Sequence, residues 1–272
     1  MRWLDHRWPP REPVELVAEG LDAVRIGRGE PRWTLIVDPI DGTRGLMYDK
    51  RPAWVLSGLA PHGGSLRDIA VAVMTELPTT KQWASDQLSA VRGRGLVVNR
   101  TDVRSSSVAP VVLRPSTATT VEHGWASFSR FFPAGKVVLA AFEETVWSEL
   151  HVGRPLASLS IFDDQYLSTA GQYYELLAGH DRLLGDLRPL AFAALGIDDA
   201  LACHPYDCCT ALLLEEAGAV VTDPWGAPLD APLDTTSAVA WVACANLELA
   251  RRVRPAIDLA LDRHFPGQRP SL

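Results

Sequence analysis

A chain of 272 residues that is 47% hydrophobic can bury most of the surface that its unfolded form exposes, so we expect a compact globular protein. Its apolar runs, such as residues 137–142 and 238–245, are far shorter than the roughly 20 residues of a membrane helix, so we expect no membrane-bound protein. The net charge is -7 and the basic residues are scattered, which argues against a nucleic-acid partner.

The N-terminal residues and the cysteines indicate the cellular compartment. Residues 1–10 carry charges and prolines instead of a basic start followed by an apolar stretch, so we expect no signal peptide and a cytoplasmic location. The four cysteines, at positions 203, 208, 209 and 244, form no CxxC pair. Neither a disulfide framework nor a zinc site is therefore indicated, and buried reduced thiols are expected.

The first half of the chain reads as a β-rich region. Residues 15–19 and 33–37 are short apolar segments that end at acidic residues, which predicts two strands delivering carboxylates to a sheet edge, with a Gly-rich loop between them. Residues 53–60 and 69–77 read as further strands joined by a turn at 61–64, and residues 101–109 as a loop. We predict an antiparallel sheet here.

The second half has a helical character. Apolar spacing predicts helices over residues 167–178, 189–195, 208–217 and 247–261, interleaved with strands at 219–222 and 239–245. This pattern indicates a layered α/β arrangement with a mixed sheet. We predict one compact unit of two halves, residues 1–150 and 151–272, with a seam between residues 146 and 160.

The strongest chemical motif is Asp-Pro-Ile-Asp-Gly-Thr at residues 38–43. It places Asp38 and Asp41 three residues apart after a buried strand, in a turn fixed by proline and relaxed by Gly42. Two carboxylates about 4 Å apart repel by roughly 4 kcal/mol at an effective dielectric of 20, so the pair needs a cation. All-oxygen ligands, with the Ile40 carbonyl as a further candidate, favour Mg²⁺ or Mn²⁺ over zinc.

Two more positions complete the site that we expect. The backbone N–H groups of Gly42 and Thr43 lie where a helix or tight turn begins, which suits a phosphate oxygen, although a plain acidic turn also fits. Asp207 precedes a helical pattern that ends at Gly218 and is, taken alone, an N-cap. A capping carboxylate can also be a metal ligand.

The run at residues 38–43 resembles the signature of the inositol monophosphatase superfamily. The segment from Tyr206-Asp207 to Asp223 is similar to the family's C-terminal Trp-Asp motif, with tyrosine in place of tryptophan. More weakly, residues 17–19 resemble the strand that ends at the family's metal-binding glutamate, and residues 168–170 a substrate-contacting turn. The resemblance covers about residues 15–246.

The resemblance implies an αβαβα sandwich with a shortened N-terminal helical region. It further implies that two or three Mg²⁺ ions, or Mn²⁺, lie between the halves and lower the pKa of a water toward about 7. The implied metal ligands are Glu19, Asp38, Ile40, Asp41 and Asp207; the implied catalytic residues are Glu19, Asp41 and Thr43; the implied substrate contacts are Gly42, Thr43, Thr169 and Ala170. Glu19 is preferred to Glu30 because it ends an apolar strand.

The sequence departs from the family's pattern in three places. The family pairs the threonine with an Asp from an N-terminal helical segment, but only eighteen residues precede Glu19. Either the chain start is truncated, or Asp5, Glu12 or Glu30 substitutes, or water activation is impaired. Arg44-Gly45-Leu46 replaces the usual residues after the signature, which predicts altered substrate contacts. The family's inositol-binding Glu has no clear counterpart, with Asp198, Asp199 and His204 near its place.

The sequence thus predicts hydrolysis of a small phosphate monoester, such as an inositol or sugar phosphate. Activity on a 3'(2'),5'-bisphosphate nucleotide or on fructose 1,6-bisphosphate is the alternative within the same superfamily. The alternative of another class is a family member that has lost turnover and serves in binding or assembly. The expected partner is a small phosphorylated substrate, and the resemblance allows a homodimer.

Overall fold

The structure is a computed structural model that describes residues 8–9, 11–197 and 201–269. An eight-stranded sheet has the strand order β2-β1-β3-β4-β5-β6-β7-β8, and a five-stranded sheet has the order β10-β9-β11-β13-β12. The strands of the first sheet are β1 (Val14–Ala18), β2 (Leu21–Ile26), β3 (Trp33–Asp41), β4 (Ala53–Pro61), β5 (Val71–Leu77), β6 (Ala84–Val91), β7 (Leu96–Asp102) and β8 (Val108–Val111). Those of the second are β9 (Gly124–Phe128), β10 (Ile161–Phe162), β11 (Asp181–Asp186), β12 (Val220–Thr222) and β13 (Trp241–Cys244).

Seven α-helices occur in the described part of the chain. They are α1 (Thr43–Met47), α2 (Lys136–Leu150), α3 (Thr169–Leu177), α4 (Arg188–Ala194), α5 (Pro205–Cys208), α6 (Leu212–Glu216) and α7 (Leu247–His264). Short 3-10 helices occupy Leu66–Asp68 and Leu156–Ser158. Within these residues, no helix precedes β1 and none is long and apolar enough to cross a bilayer.

Two hydrophobic cores define the layers. In the first core, the inward side chains of β3 to β7 pack against α3, α5 and α6, and these helices also contact one face of the second sheet through Leu184 and Trp241. In the second core, the other face of that sheet packs against α2 and α7, for example Phe128 against Phe142. The order is therefore sheet, helices, sheet, helices, a layered α/β fold as the sequence predicts.

The central position of α3 follows from its sequence. Its side chains are buried almost all round, as expected for a helix between two sheets. It begins at Ser168, whose hydroxyl accepts a hydrogen bond from the Gly171 amide at 2.8 Å, a standard N-cap. This anchoring fixes the chain around residues 168–171 directly beneath the edge of β3.

The first sheet is mixed, so the prediction of an antiparallel sheet is wrong at one pair of strands. β1 runs parallel to β3, with Ala18 opposite Val37, while the other neighbouring strands of this sheet are antiparallel. The predicted pattern missed β2, which lies between β1 and β3 in sequence and pairs at the outer edge of β1. This insertion lets two consecutive core strands point in one direction.

Several other element predictions need correction. The predicted helix over residues 208–217 is two short helices, because the chain between them tightens into i to i-3 bonds such as Ala211 N–H to Cys208 O. The loop predicted over 101–109 contains the last residues of β7 and the first residues of β8. Helix α2 was not predicted. The strands of the first sheet end at Val111 and those of the second begin at Gly124, and the division at residue 150 stays a prediction.

The contact between β4 and the segment after α5 gives a test of this packing. A Cβ atom on Gly58 would lie 2.7 Å from Ile69 Cδ1 and 2.8 Å from the Cys209 carbonyl oxygen. We expect Gly58→Ala to lower the free energy of unfolding by about 1–3 kcal/mol, since this overpacking forces the backbone apart. Chemical denaturation monitored by tryptophan fluorescence measures the change.

The matched control is Gly45→Ala. Gly45 lies in α1, and its Cβ would meet ordinary contacts at 3.5 Å on Arg51. Because alanine is favoured over glycine inside a helix by roughly 0.5–1 kcal/mol, this variant should be as stable as wild type or more stable. Equal stability of the two variants would contradict the tight approach at Gly58.

Candidate metal centre

The parallel pairing of β1 and β3 brings acidic residues from two segments to one sheet edge. Because Ala18 lies opposite Val37, the next residues along the chain, Glu19 just after β1 and Asp38 within β3, lie side by side. The Glu19 amide donates to the Val37 carbonyl at 3.2 Å, which continues the pairing to this point. Glu19 is exposed at the mouth of the site, whereas Asp38 is buried.

Three carboxylates converge below this edge. One oxygen each from Asp38, Asp41 and Asp207 lies within 4.8 Å of the other two. Asp38 and Asp41 are 1% and 7% exposed, and Asp207, from α5, is half-buried. Residues far apart in the chain are thus gathered in a cavity of about 360 Å³, which Glu19 also lines. The sequence motifs that were predicted to share one pocket do share it.

The orientation of Asp41 depends on α3. Its carboxylate accepts hydrogen bonds from the Ala170 amide at 2.6 Å and from the Ser168 hydroxyl at 3.0 Å. Ala170 is fully buried and does not line the cavity, and its amide hydrogen is bound to Asp41. Thr169, the other predicted substrate contact of this turn, does line the cavity. The turn that the resemblance connects with substrate holds Asp41 in place here.

Asp207 and Asp38 are fixed by backbone groups of their own segments. The predicted N-cap role of Asp207 is wrong in position, because His204 is the N-cap of α5 and Asp207 is the third helical residue. Its carboxylate accepts from the His204 amide at 2.6 Å, the return half of a capping box. The Asp38 carboxylate accepts from the Ile40 amide at 2.9 Å.

The loop after β3 closes with a tight start of α1. Gly42 is the N-cap with a φ of 88°, and a Cβ there would approach Ser168 Cβ to 3.1 Å, so glycine meets both constraints. Thr43, exposed to the cavity, donates its hydroxyl hydrogen to the Ile40 carbonyl at 2.7 Å. Gly42, Thr43 and Ile40 all line the cavity, as expected of neighbours of a shared ligand.

Burial and mutual repulsion perturb these acids strongly. Burial, then the charges of Asp41, Asp207 and Glu19, raises the pKa of Asp38 to about 9. Burial also raises the pKa of Asp41 to about 6, although the bonds from Ala170 and Ser168 lower it. The pKa of Asp207 is raised well above its ordinary value by burial and by Asp41. Such a set of buried acids carries full charge only with a compensating cation.

Other acids named as candidates lie elsewhere. Glu30 pairs with Arg25 at 3.2 Å on the surface, and Glu12 pairs with Arg32 at 3.1 Å, and neither lines the cavity. Asp5, Asp198 and Asp199 lie outside the described residues. His204 does line the cavity, with its ring Nδ1 2.9 Å from the Ser237 carbonyl oxygen.

The cavity is also lined by three residues that the sequence did not indicate, Arg188, Phe131 and Phe132. Arg188, at the start of α4, is 6% exposed and donates to Asp186 at 2.8 Å and to the Leu201 carbonyl. Its guanidinium lies 4.7 Å from the ring centre of Phe131 and 5.3 Å from that of Phe132, and both rings line the cavity. An arginine followed by proline at a helix start gave no sequence signal of this role.

Comparison with solved structures identifies the fold. An IMPase of Thermotoga maritima superposes with a TM-score of 0.61 at 14% identity, over 96% of this chain and 80% of that one. SuhB of Mycobacterium tuberculosis gives 0.60 at 18% identity, over 95% and 80%. Fructose-1,6-bisphosphatase of Leishmania major gives 0.66 at 13% identity, over 90% and 74%. No protein-family profile and no curated protein matches the sequence. The chain has the inositol monophosphatase fold that the resemblance implies.

The raised pKa values predict an unusual pH dependence of stability. In the metal-free protein Asp38 and Asp41 titrate near 9 and 6, against about 3.9 when unfolded, so the folded state binds more protons between these values. The free energy of unfolding should therefore fall as pH rises from about 4 to 9. With EDTA present, Asp38→Asn should be more stable than wild type at pH 8, and the difference should be much smaller at pH 5.

Asp68→Asn is a control for which the expected change in stability has the opposite sign. The Ser65 amide and hydroxyl lower the pKa of Asp68, so its replacement should decrease the melting temperature at pH 8. Thermal unfolding followed by circular dichroism at both pH values measures all three proteins. A lower melting temperature of Asp38→Asn than of wild type at pH 8 would show that Asp38 is not repelled in the metal-free state.

Proposed function

We propose that this chain, which has the inositol monophosphatase fold, hydrolyses a small phosphate monoester with the help of bound divalent cations. The observation that carries the proposal is the convergence of Asp38, Asp41 and Asp207 within 4.8 Å in one cavity. The phosphatases among the structural neighbours share this fold, which supports phosphate ester chemistry as the reaction class.

The residues fit hard cations. The three aspartates offer only oxygen, Glu19 adds a carboxylate at the mouth, and the Ile40 carbonyl accepts one hydrogen bond and keeps a second lone pair. Oxygen donors with room for water and phosphate favour Mg²⁺, with Mn²⁺ as the second choice, and four acids suit two or three ions. When bound, such ions neutralise the phosphate and acidify a water molecule.

The protein groups around the acids would position the substrate and the attacking water. Because the Thr43 hydroxyl donates to the Ile40 carbonyl, its oxygen is left to accept a hydrogen from a water in the cavity. Gly42 and Thr43 are the N-cap and the first residue of α1, where backbone amides would favour a phosphate oxygen. Glu19, which lines the cavity and is exposed, would accept the proton of that water.

The alcohol part of the substrate would lie against the wall formed by Phe131 and Phe132. These apolar rings line the cavity and suit the carbon skeleton of a sugar or inositol phosphate. A 3'(2'),5'-bisphosphate nucleotide or fructose 1,6-bisphosphate is the alternative within the reaction class, and the fold of the Leishmania major enzyme supports the latter.

A second candidate function is binding or assembly without turnover. One observation favours it: in the part of the chain that the structure describes, Glu19 and the three aspartates are the only acids lining the cavity, and Glu12 and Glu30 do not support Thr43. A homodimer remains a prediction. Phosphate release over a panel of monoesters separates the two functions.

Asp41→Asn tests the reaction and the metal together. Removing one of the converging charges should weaken Mg²⁺ binding in calorimetry and reduce phosphate release at saturating Mg²⁺ by at least about a hundredfold. Thr43→Ala should keep Mg²⁺ binding and lose activity by about a hundredfold, since it leaves every carboxylate in place and removes the hydroxyl that would orient the water. Both parameters are measured on the same preparations.

Asp181→Asn is the matched control. Asp181 is another buried aspartate, with its pKa raised to about 7 by burial, and it does not line the cavity. It should retain wild-type Mg²⁺ binding and phosphate release. If wild type binds Mg²⁺ and releases no phosphate from any ester of the panel, the binding function replaces hydrolysis.

A further inference from the structure

A second cavity of about 820 Å³ adjoins the metal centre. Arg44 and Leu167 line both cavities, so the two are adjacent at this point. Tyr48, Lys50 and Lys81 line the second cavity and not the first. Its volume lies within the range of small-molecule sites. We call it the α1 groove, because it follows α1 away from the acids.

The α1 groove is basic in an acidic protein. Four basic side chains line it, Arg44, Lys50, Arg51 and Lys81, against the two acids Asp49 and Asp164. The difference, 4 − 2 = 2, is a local excess of two positive charges in a chain of net charge -7. Local charge of one sign in a cleft selects ligands of the other sign.

The pairing of these charges shows which cations are available. Arg51 donates to Asp164 at 2.7 Å and lies 4.7 Å from the ring centre of Tyr166. Lys81 lies 3.9 Å from Asp49, whose carboxylate also accepts from Thr80. In residues 11–197 and 201–269, Arg44 and Lys50 have no carboxylate within 4.0 Å.

The backbone keeps both cationic residues close to α1. Helix α1 begins directly after Gly42, beside the acids, and its rise of about 1.5 Å per residue carries the chain roughly 7 Å to its end. The amides of Lys50 and Arg51 then donate to the Gly45 carbonyl at 2.9 and 3.3 Å, which folds the following turn back onto α1. A ligand with its phosphorus at the acids would extend past Arg44 toward Lys50.

We propose that the substrate carries a second anionic group, a phosphate or a carboxylate, which Arg44 and Lys50 bind in the α1 groove. The inference rests on the proposed phosphatase function and narrows its substrate class. It assigns a specificity role to the residues that follow the Asp-Pro-Ile-Asp-Gly-Thr run. A simple monoester would leave the two cations without a counter-charge in the complex.

Matched substrate pairs test the proposal. Fructose 1,6-bisphosphate against fructose 1-phosphate varies a distal phosphate, and 3-phosphoglycerate against glycerol 3-phosphate varies a distal carboxylate. Wild type should prefer the member with two anionic groups in at least one pair by about tenfold or more in kcat/KM, since a charged hydrogen bond is worth about one decade. The preference should shrink as salt rises, because exposed charges are screened.

Lys50→Ala should reduce this preference by about tenfold, and Lys136→Ala should keep it, because Lys136 is an exposed lysine at the start of α2 outside both cavities. Equal kcat/KM values within both pairs in wild type, or an unchanged preference in Lys50→Ala, would overturn the inference and leave the phosphatase proposal standing.

If no substrate pair is hydrolysed, a binding measurement tests the proposed subsite independently of the phosphatase reaction. Calorimetry with fructose 1,6-bisphosphate and Mg²⁺ should then show affinity about tenfold weaker in Lys50→Ala than in wild type and Lys136→Ala. That result supports the subsite although turnover is absent. Equal affinities in all three proteins overturn it.

Discussion

The repulsion among buried carboxylates is the constraint on which the rest of this structure depends. Asp38, Asp41 and Asp207 lie within 4.8 Å of one another, and burial removes the water that would otherwise screen them. This grouping opposes stability at neutral pH, since neighbouring acids raise the pKa of Asp38 and of Asp207. A bound cation, as in the proposed function, would resolve the conflict, and the surrounding structure holds the acids in place for it.

The fold supplies that arrangement with backbone groups. The Ala170 amide holds Asp41, the His204 amide holds Asp207 and the Ile40 amide holds Asp38. Because an amide donor stabilises the charged form of a carboxylate, these bonds oppose the cost of burial while they fix direction. The layer of helices between the two sheets therefore has a chemical as well as a packing role.

In the proposed function, different groups around the acids would contact different parts of the substrate. The acids and the start of α1 suit the phosphate that reacts, and the rings held by Arg188 suit a carbon skeleton. The α1 groove begins at Arg44, on the same cavity wall. In the proposed phosphatase, substitutions around the acids would change specificity without changing the reaction, because transition-state charge would be stabilised at the acids and affinity gained further away.

Local sequence determined the acids and most of the elements around them. The spacing of Asp38 and Asp41 after a buried strand, and the turn residues between them, are properties of one short segment, and apolar spacing indicated α3, α4 and α7 within a few residues. Only the tertiary structure decided the parallel pairing of β1 with β3, the position of Asp207 within α5 and the approach of Arg188 and Phe131 to the site. Strand direction, helix register and long-range contacts depend on packing between segments far apart in the chain, and no local pattern encodes that packing.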